Sequence, residues 1–301
     1  MSSSQKRSIL ITGCSKGGAG HALALEFARQ GMRVFATARS TNSLKELEGQ
    51  GIETLVLDVT NAESIAALKA EITSRTGGKL DMLFNNAGLM YEAPAIEADS
   101  ATTRRMFETN VFGVFEMIST FTPLLIAAAG DAKHPPTIIN TASILARAPY
   151  PFSAAYNASK AAVASYSDAL RLELKPLGVK VVTLFMGQVA TGLLTPSSID
   201  FGPNSLYASA EAGIKKRGEA HLADSMKPDA FAKSVVNEVL RNKPRLEEGE
   251  NIWKGTKATL IWLLSTFGPS KVFDGTVEKE GGLTSESKDL IAKKGRSSIK
   301  A

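Results

Sequence analysis

Short apolar runs alternate with amphipathic stretches through the first 185 residues of the chain. The runs are rich in β-branched residues, as buried parallel strands are, and they cover residues 8–12, 33–38, 52–59, 81–85, 137–143 and 179–185. Between them, apolar residues recur with helical spacing, for example over residues 21–30 and 153–174. This alternation predicts a single α/β domain, a doubly wound parallel sheet of about seven strands with helices on both faces.

The regular alternation ends after residue 185. Residues 187–227 hold several Gly and Pro residues and predict a lid over a substrate site. Residues 257–267 form a dense apolar run too short to span a membrane. This run could be a buried helix, close a pocket, pack at a subunit interface or lie on a membrane surface. We therefore predict a catalytic domain over residues 1–250, an apolar extension over 251–277 and a flexible polar tail over 278–301.

Composition excludes several classes of function. The chain has 301 residues, 44% of them hydrophobic, and a formal net charge of +5. No run of Lys and Arg is long enough to predict a nucleic-acid arm, although the charge suits an anionic cofactor or substrate. With one cysteine and three isolated histidines, the sequence predicts no disulfide and no metal site.

The sequence also bears on localisation. The start of the chain shows no signal-peptide pattern, and no stretch has the roughly 18–20 consecutive apolar residues of a membrane span. A single cysteine suits a reducing compartment. We expect a cytoplasmic protein, with peripheral contact to an internal membrane through residues 257–267 as an open alternative.

Tyr156 and Lys160 are the first candidates for chemistry. On a helix, residues four apart lie on one face, which places a phenol beside an ammonium group. A nearby positive charge favours the phenolate and lowers the pKa of a tyrosine. The pair can therefore act as an acid/base unit, although so short a pattern also arises by chance.

A glycine loop, residues 13–20, follows the first predicted strand and opens the first helix. In this context, typical of a Rossmann-type fold, backbone N–H groups bind a pyrophosphate; a tight turn that binds nothing is the alternative. The second strand ends in Ala38 and Arg39, where an NAD-binding protein usually carries an acid. Lys16 and Arg39 therefore predict a 2′-phosphate and NADP(H), unless both are solvated surface charges.

Polar residues mark other predicted strand ends. Asp58, Asn85 and Ser143 all fall at carboxyl ends of strands, where such sheets bind ligands. Asn110 lies inside a predicted helix, where asparagine is unfavourable, so it has either another task or a local hydrogen-bonding partner. The run of residues 215–217 (Lys-Lys-Arg) could meet an acidic substrate, but a solvated helix face is the favoured interpretation.

Together these motifs resemble the short-chain dehydrogenase/reductase family over residues 8–191. The chain carries a TGxxxGxG-like loop with one extra residue, the pair Asp58-Val59, the NNAG motif at 85–88, Asn110, and Ser143 thirteen residues before the YxxxK motif of Tyr156 and Lys160. Met186 replaces the usual Pro after the sixth strand. With the segment 253–255, these departures resemble a fungal branch that includes NADPH-dependent 1-acyldihydroxyacetone-phosphate reductase and related reductases of secondary-metabolite pathways.

The resemblance implies roles for individual residues. Ser143 would orient a carbonyl oxygen, Tyr156 would give it a proton, and Lys160 would lower the pKa of Tyr156 and hold the nicotinamide ribose. Asn110 would position a water that connects Lys160 to solvent. The resemblance also implies cofactor-binding residues, which are Gly13, Ser15, Lys16, Gly18, Gly20, Arg39, Asp58, Val59, Asn86, Ala87, Gly88, Tyr156, Lys160, Val189 and Thr191.

The sequence indicates the substrate class and the oligomeric state less directly than it indicates the reaction. The apolar stretch 148–152 indicates a wall for a lipid-like, terpenoid or polyketide ketone or the matching alcohol. The resemblance implies a homodimer or homotetramer. Two other classes stay open: a non-redox isomerase or cyclase on the same scaffold, and a membrane-surface or binding protein. Ser143 lies in T-A-S-I, not in G-x-S-x-G, so a serine hydrolase is disfavoured.

Overall fold

A seven-stranded parallel sheet forms the centre of the computed structural model, which describes residues 6–130, 133–241 and 251–298. The strand order is β3-β2-β1-β4-β5-β6-β7, and every neighbouring pair is parallel. The strands are β1 (Ser8–Ile11), β2 (Arg33–Ala38), β3 (Glu53–Val56), β4 (Met82–Asn85), β5 (Thr137–Ser143), β6 (Lys180–Met186) and β7 (Asn251–Lys254). The predicted doubly wound fold is confirmed.

The helices follow the strands and cover both faces of the sheet. They are α1 (Ala19–Arg29), α2 (Lys45–Gly49), α3 (Ala62–Thr76), α4 (Ser100–Phe107), α5 (Gly113–Ala129), α6 (Ala154–Leu174), α7 (Glu211–Asp224), α8 (Pro228–Val239), α9 (Ala258–Phe267), α10 (Asp274–Glu280) and α11 (Ser285–Ser298). A π-helical turn, Glu108–Phe112, joins α4 to α5. Short 3₁₀ turns cover Thr41–Leu44, Ile144–Ala146, Lys175–Leu177, Pro196–Ser198 and Ala208–Ala210.

Two hydrophobic cores lie on opposite faces of the sheet. Because side chains alternate along a strand, Ile9 and Ile11 join the core under α1 and α8, whereas Leu10 joins the core under α3 and α5. Phe27 meets Phe84 edge-on in the first core, with ring centres 6.2 Å apart. The buried β-branched runs seen in the sequence thus become strands covered on both faces.

The helical stretch Ser100–Ala129 is long and apolar enough to cross a membrane when length and composition alone are considered. Half of its most apolar window is buried inside the protein, and Met117, Ile118 and Phe121 belong to the second core. The core helix of a globular domain passes the same test, and the packing of these residues on the sheet identifies this stretch as one.

The C-terminal third differs from the sequence predictions in three places. β7 pairs with β6, so the sheet extends beyond the predicted domain boundary at residue 250. The prediction of a flexible tail over 278–301 is wrong for α11, where Ser287 is buried and donates to the Gly282 carbonyl at 2.6 Å; residues 299–301 lie outside the described residues. α9 is not a buried helix, since Trp262 and Phe267 are 40% and 77% exposed.

The lid prediction over 187–227 corresponds to an irregular segment followed by α7. α7 and α10 pack on a third apolar cluster together with the stretch that leads into α6. Its buried members are Ala148, Tyr150, Phe152, Ile199, Ala210, Ile214, Phe273 and Val277. This cluster lies beside the carboxyl ends of β5 and β6, where Ser143 and Met186 pair. The fold therefore closes one edge of the sheet with the lid and the C-terminal helices.

Candidate active site

The glycine loop packs directly on the segment that follows β4. Gly13 has a φ of +74°, and a Cβ atom there would come within 2.8 Å of the Ala87 Cα. A Cβ on Gly20 would lie 2.4 Å from the Gly13 carbonyl oxygen and 2.5 Å from the Asn86 Nδ2. These two positions therefore require glycine because backbone approaches backbone. Gly13 lines the cavity, whereas Gly20 is buried in the first turn of α1 and is not among the cavity-lining residues.

Thr12 holds the ends of β1 and β4 together. Its Oγ1 accepts hydrogen bonds from the backbone N–H groups of Asn86 and Ala87, both at 3.0 Å. The Asn86 side chain donates to the carbonyls of Thr12 at 2.9 Å and Gly13 at 3.1 Å. Thr12 is not among the predicted site residues, although its place at the end of the first strand could have indicated it. Asn85, by contrast, lies inside the sheet, where it donates to Asn140 at 2.9 Å.

The loop leaves room for an anion at the start of α1. Gly18 is the N-cap, and it provides no side-chain cap, while the first turn of α1 carries no acidic residue. Free N–H groups and the positive end of the helix favour a phosphate at such a terminus. Gly13, Ser15, Lys16 and Gly18 all line the cavity there. The predicted phosphate cradle is thus present in the backbone geometry.

Cys14, the only cysteine of the chain, lies within this loop and is fully buried. Its thiol donates to the Ile11 carbonyl, with an Sγ to O distance of 3.3 Å. Burial raises the pKa of the Cys14 thiol to about 12, against a lesser lowering by a backbone hydrogen bond at Thr37. The residue is therefore an unreactive neutral thiol in this conformation.

At the far end of the cofactor cleft, Lys16 and Arg39 both line the cavity. The structure adds a carboxylate that the sequence did not reveal, because Glu46 Oε2 lies 3.1 Å from the Lys16 Nζ. A hydrogen bond from Lys16 and its charge hold the pKa of Glu46 below its usual value. The assumption of two cations without an acid is therefore wrong for Lys16. Arg39 is the cation that follows β2 directly.

Asp58 and Val59 also line the cleft, after β3. The Asp58 carboxylate accepts from the Thr60 N–H at 2.9 Å and the Thr60 hydroxyl at 2.7 Å. These two hydrogen bonds, with a smaller effect of the Arg39 charge, lower the pKa of Asp58. The carboxylate is therefore ionised and fixed at neutral pH, as a group that accepts hydrogen bonds from a ligand must be.

Ser143, Tyr156 and Lys160 meet at the centre of the cavity. Ser143 ends β5, and its hydroxyl lies close enough to the Tyr156 phenol to lower the pKa of that phenol. Tyr156 and Lys160 lie on α6, both almost fully buried, with the Lys160 Nζ 5.9 Å from the centre of the Tyr156 ring. Lys160 donates to the Thr141 carbonyl at 2.8 Å. The strand end and the helix face thus bring the three predicted catalytic side chains together.

Burial has the largest effect on the pKa values of Tyr156 and Lys160. It raises the pKa of Tyr156 to about 12, with a lesser lowering by the Ser143 hydrogen bond and a raising by the Glu92 charge. Burial also lowers the pKa of Lys160 to about 8. The lowering of the Tyr156 pKa by the Lys160 charge, which lies 5.9 Å from the ring centre, stays a prediction. The phenol is therefore protonated at neutral pH, as a proton donor must be.

Asn110 lies in the π-helical turn and is fully buried. Its Oδ1 accepts from the Leu89 N–H at 2.7 Å, and its Nδ2 donates to the Leu89 carbonyl at 2.9 Å and the Ser159 hydroxyl at 3.1 Å. A Cβ on Gly88 would lie 3.4 Å from Asn110 Oδ1 and 3.6 Å from Lys160 Nζ. Asn110 therefore joins the loop after β4 to the catalytic helix, while its role in positioning water stays a prediction.

One continuous cavity of about 1020 Å³ runs from the glycine loop past Tyr156 to the lid and the C-terminal helices. Ala87, Gly88, Val189 and Thr191, all predicted cofactor contacts, line it. Beyond Ser143 its wall is mainly apolar and includes Leu145, Leu194, Ile261, Leu264 and Phe273. α9 contributes Leu260, Ile261 and Leu264, so the apolar run of the sequence closes the pocket with one face and exposes the other.

Charged residues at this end of the cavity escaped the sequence predictions. Arg217 is not part of a solvated face, because it pairs with the buried Glu92 and stacks on Tyr150, with its guanidinium carbon 4.5 Å from the ring centre. Glu280 accepts from the Tyr150 hydroxyl at 3.0 Å and pairs with Lys257 at 3.2 Å. No motif marks these residues, since each pair joins distant parts of the chain.

Comparison with known proteins identifies the family. A family model described as short chain dehydrogenase matches residues 7–200. The chain belongs to the short-chain dehydrogenase family. This short-chain dehydrogenase is 39% identical to the short-chain dehydrogenase srdE of Neurospora crassa over 267 residues, 88% of each chain. The family prediction is confirmed, and the finer resemblance to 1-acyldihydroxyacetone-phosphate reductase stays a prediction.

Solved structures are similar over most of the chain. A short-chain dehydrogenase from Streptomyces avermitilis has a TM-score of 0.72 and 25% identity, over 91% of this chain and 98% of that one. A 3-ketoacyl-(acyl-carrier-protein) reductase from Brucella melitensis, complexed with NADH, has a TM-score of 0.68 and 27% identity, over 83% and 97%. The protein is thus an oxidoreductase of a family that binds NAD(P)(H) and acts on small molecules.

The residues of this short-chain dehydrogenase fit such a cofactor. The uncapped start of α1 accommodates a phosphate, and the glycines of the loop leave a backbone-lined cleft. At the other end of that cleft, the Thr141 Oγ1 is buried without a hydrogen-bonding partner among the described residues and lines the cavity. Together these features form a dinucleotide-shaped groove that ends at Tyr156 and Lys160.

Proposed function

We propose that this protein is an NADPH-dependent reductase that transfers hydride to the ketone of a lipid-like or secondary-metabolite substrate, such as a terpenoid or polyketide. The meeting of Ser143, Tyr156 and Lys160 carries this proposal, because these side chains open onto the cavity between the cofactor groove and the apolar wall. The same groups would catalyse oxidation of the alcohol in reverse.

The chain supplies the proton and the geometry of the reaction. The bound nicotinamide would supply the hydride that reduces the carbonyl carbon. The Ser143 hydroxyl orients the carbonyl oxygen, and the neighbouring Tyr156 phenol gives that oxygen its proton. Lys160, charged below a pKa of about 8, stabilises the negative charge left on the phenol oxygen.

A phenol-to-phenyl change tests the chemistry. We expect Tyr156→Phe to reduce turnover by at least about 10³-fold, while NADPH binding, followed by its fluorescence, largely survives. Tyr166→Phe is the matched control, since Tyr166 lies on the same helix but stacks on Phe115, with ring centres 3.9 Å apart. Full turnover by Tyr156→Phe would exclude this mechanism and favour a non-redox or binding role.

Arg39 supports the choice of NADPH over NADH. It lines the cleft after β2, where the chain has no acid to bind a ribose 2′-hydroxyl. We expect a preference for NADPH of at least about tenfold in kcat/KM, and its loss in Arg39→Ala. Arg104→Ala removes an exposed arginine elsewhere as a control. Equal rates with both cofactors in the wild-type protein would reject the preference.

The apolar wall supports the substrate class. Beyond Ser143 the cavity is lined by Leu145, Leu194 and Phe273, and it has room for a polycyclic or long-chain ketone. NADPH consumption over a panel of decalones, steroids, aromatic polyketide ketones and acyl-dihydroxyacetone phosphate tests this class. Reduction of small hydrophilic ketones only would contradict it.

We also propose that the protein is cytoplasmic and that α9 contacts a lipid surface. Leu263 and Phe267 are 43% and 77% exposed, whereas Leu260, Ile261 and Leu264 line the pocket. Flotation with liposomes, compared between the wild type and Phe267→Ser, tests the contact. Absence of flotation, with a change in oligomeric state in Phe267→Ser, would assign the face to the homodimer or homotetramer that the family forms.

A further inference from the structure

A buried ion pair joins the lid to the catalytic helix. Arg217, on α7, pairs with Glu92, which follows the NNAG segment, and the two side chains are only 12% and 2% exposed. The Ser153 hydroxyl, at the N-cap of α6, donates to the same Glu92 Oε1 at 2.9 Å. The pair therefore lies between the lid and the start of the helix that carries Tyr156.

The pair leaves one donor and one acceptor unused. Among the described residues, the Arg217 Nε and the Glu92 Oε2 are buried without a hydrogen-bonding partner. Leaving such groups unpaired in the interior is unfavourable, because each has lost its hydrogen bonds to water. The free N–H belongs to Arg217 and the free carboxylate oxygen to Glu92. A ligand group that accepts one hydrogen bond and donates another would satisfy both.

Arg217 borders the substrate end of the cavity, and Glu92 lies buried behind it. Arg217 and Tyr150 line the cavity with Tyr156, and the charge of Glu92 acts on the Tyr156 phenol. Both unpaired atoms are shut off from solvent. Access for a ligand therefore requires the guanidinium to turn toward the cavity that Arg217 lines. A substrate with its ketone at Tyr156 therefore extends toward Arg217.

The surrounding charges favour a neutral group. Arg217 faces Glu92, and Lys257 faces Glu280, so each cation already has a carboxylate. His221, one turn after Arg217, also lines the cavity; burial, followed by the Arg217 charge, lowers its pKa, so it adds no third cation at neutral pH. An anionic ligand group would meet the two carboxylates without an unpaired cation to offset them.

We infer that the substrate carries, besides its ketone, a neutral hydroxyl (an alcohol, enol or phenol) that accepts from the Arg217 Nε and donates to the Glu92 Oε2. This inference rests on the proposed function and narrows its substrate to hydroxylated ketones. A hydrocarbon ketone leaves both atoms unpaired, and a carboxylate or phosphate repels Glu92.

Matched ketones test the inference. The set contains a bicyclic ketone such as 2-tetralone and the same ketone with one hydroxyl or one carboxylate at each ring position. We expect the best hydroxylated member to exceed the parent in kcat/KM by at least about tenfold, and the carboxylated members to be no better than the parent. Equal rates for the parent and all hydroxylated members, or a preference for a carboxylate, would overturn the inference.

A double variant separates recognition from folding. Arg217→Met alone leaves Glu92 buried and uncompensated, so we pair it with Glu92→Gln. The double variant should lose the preference for the hydroxyl, measured as the ratio of kcat/KM between the hydroxylated ketone and its parent, whereas Lys216→Met, on the exposed side of α7, should keep that ratio. A retained preference in the folded double variant would assign the pair a structural role only.

Binding without turnover keeps the two proposals distinguishable. Calorimetry compares a naphthalenediol series with 2-naphthol, which has one oxygen only. If no ketone is reduced but a diol binds at least about tenfold tighter, and only when Arg217 and Glu92 are present, the reductase proposal fails and the hydroxyl site stands. Equal affinities, or a diol preference that survives in the double variant, would overturn the hydroxyl site whatever the turnover.

Discussion

Tyr156 and Lys160 share one buried face of α6, and burial moves their pKa values in opposite directions. The pKa of the phenol is raised to about 12 and the pKa of the ammonium group is lowered to about 8, because the charged form of each group loses part of its hydration. Two neighbouring titratable groups whose pKa values are shifted in opposite directions are candidates for the acid and the base of a reaction. Tyr156 is thus protonated over the whole neutral range, as the proposed proton donor must be, and Lys160 is the group whose pKa lies near that range.

Ketone reduction should therefore lose rate above a pH of about 8, as Lys160 loses its proton. Below that pH the ammonium is charged and stabilises the developing phenolate; above it the group is neutral. kcat measured from pH 6 to 10 should fall with one ionisation near 8. In Lys160→Arg, which stays charged, any residual activity should be level across this range. A wild-type rate that stays constant to pH 10 would contradict this assignment.

The contact at Gly20 predicts a strong effect of one methyl group. In Gly20→Ala the new Cβ meets the Gly13 carbonyl at 2.4 Å, and backbone must move to relieve the clash. We expect NADPH affinity to fall at least about tenfold and the protein to lose about 1–3 kcal/mol of stability. Gly49→Ala, where no atom lies within 4 Å, is the control. Unchanged affinity in Gly20→Ala would show that the loop is not required in this form.

Site residues could be predicted from the sequence where a single local feature, such as the end of a strand or one turn of a helix, determines their position. Ser143, Tyr156, Lys160 and the loop glycines are of this kind, and the structure brings them together. Glu92 and Arg217 are 125 positions apart, and their contact depends on how the lid packs. Glu46 reaches Lys16 only because residues 41–49 form short helical turns after β2. Their pairing leaves no local pattern in the sequence.

Among the elements, the C-terminal helices depart most from the sequence pattern. α11 has few apolar residues, and Leu290 is exposed, so its composition resembles a solvated tail. Polar contacts hold it instead: Lys294 donates to the Pro203 and Ser205 carbonyls at 3.0 and 2.8 Å. β7 is also too short for a clear hydrophobic pattern, since it has four residues. Its Trp253 stacks on Phe185, with ring centres 4.2 Å apart. Hydrophobic periodicity detects neither kind of contact.

Lys294 ties α11 to the lid segment, and its removal should loosen the lid. In Lys294→Met, we expect KM for the ketone to rise about 3- to 10-fold with little change in kcat, because two hydrogen bonds of about 1 kcal/mol each are lost far from the reacting atoms. Steady-state kinetics give both constants. Lys293→Met, at an exposed position of the same helix, should behave like the wild type. A drop in kcat alone would contradict a lid effect.

For the whole molecule, the carboxyl edge of the sheet carries every predicted site element. The segments that follow β1, β2, β3, β4 and β6 hold the predicted cofactor residues apart from Tyr156 and Lys160, which lie on α6, and the end of β5 holds Ser143. This arrangement follows from parallel strands and could be predicted from the sequence. The far wall of the cavity could not, because α7, α9 and α10 close it through an apolar cluster assembled from distant segments.

Cofactor binding should stabilise the whole domain, since the groove spans loops from both halves of the sheet. At 100 times its Kd, NADPH should raise the free energy of unfolding by about 2.7 kcal/mol, and the Tm by about 4 °C. Thermal denaturation with and without NADPH measures the shift, and Arg39→Ala should reduce it at the same NADPH concentration. An unchanged Tm in saturating NADPH would argue against the groove as its site.

Cys14 gives the glycine loop a built-in chemical reporter. Because it is the only cysteine and is fully buried with a pKa raised to about 12, a thiol reagent can modify the native protein only when the loop opens. The rate of modification by a maleimide or disulfide reagent thus measures how often that opening occurs. We expect NADPH to slow the reaction, because a ligand that binds only the closed loop depletes the open state, and this readout needs no knowledge of the substrate.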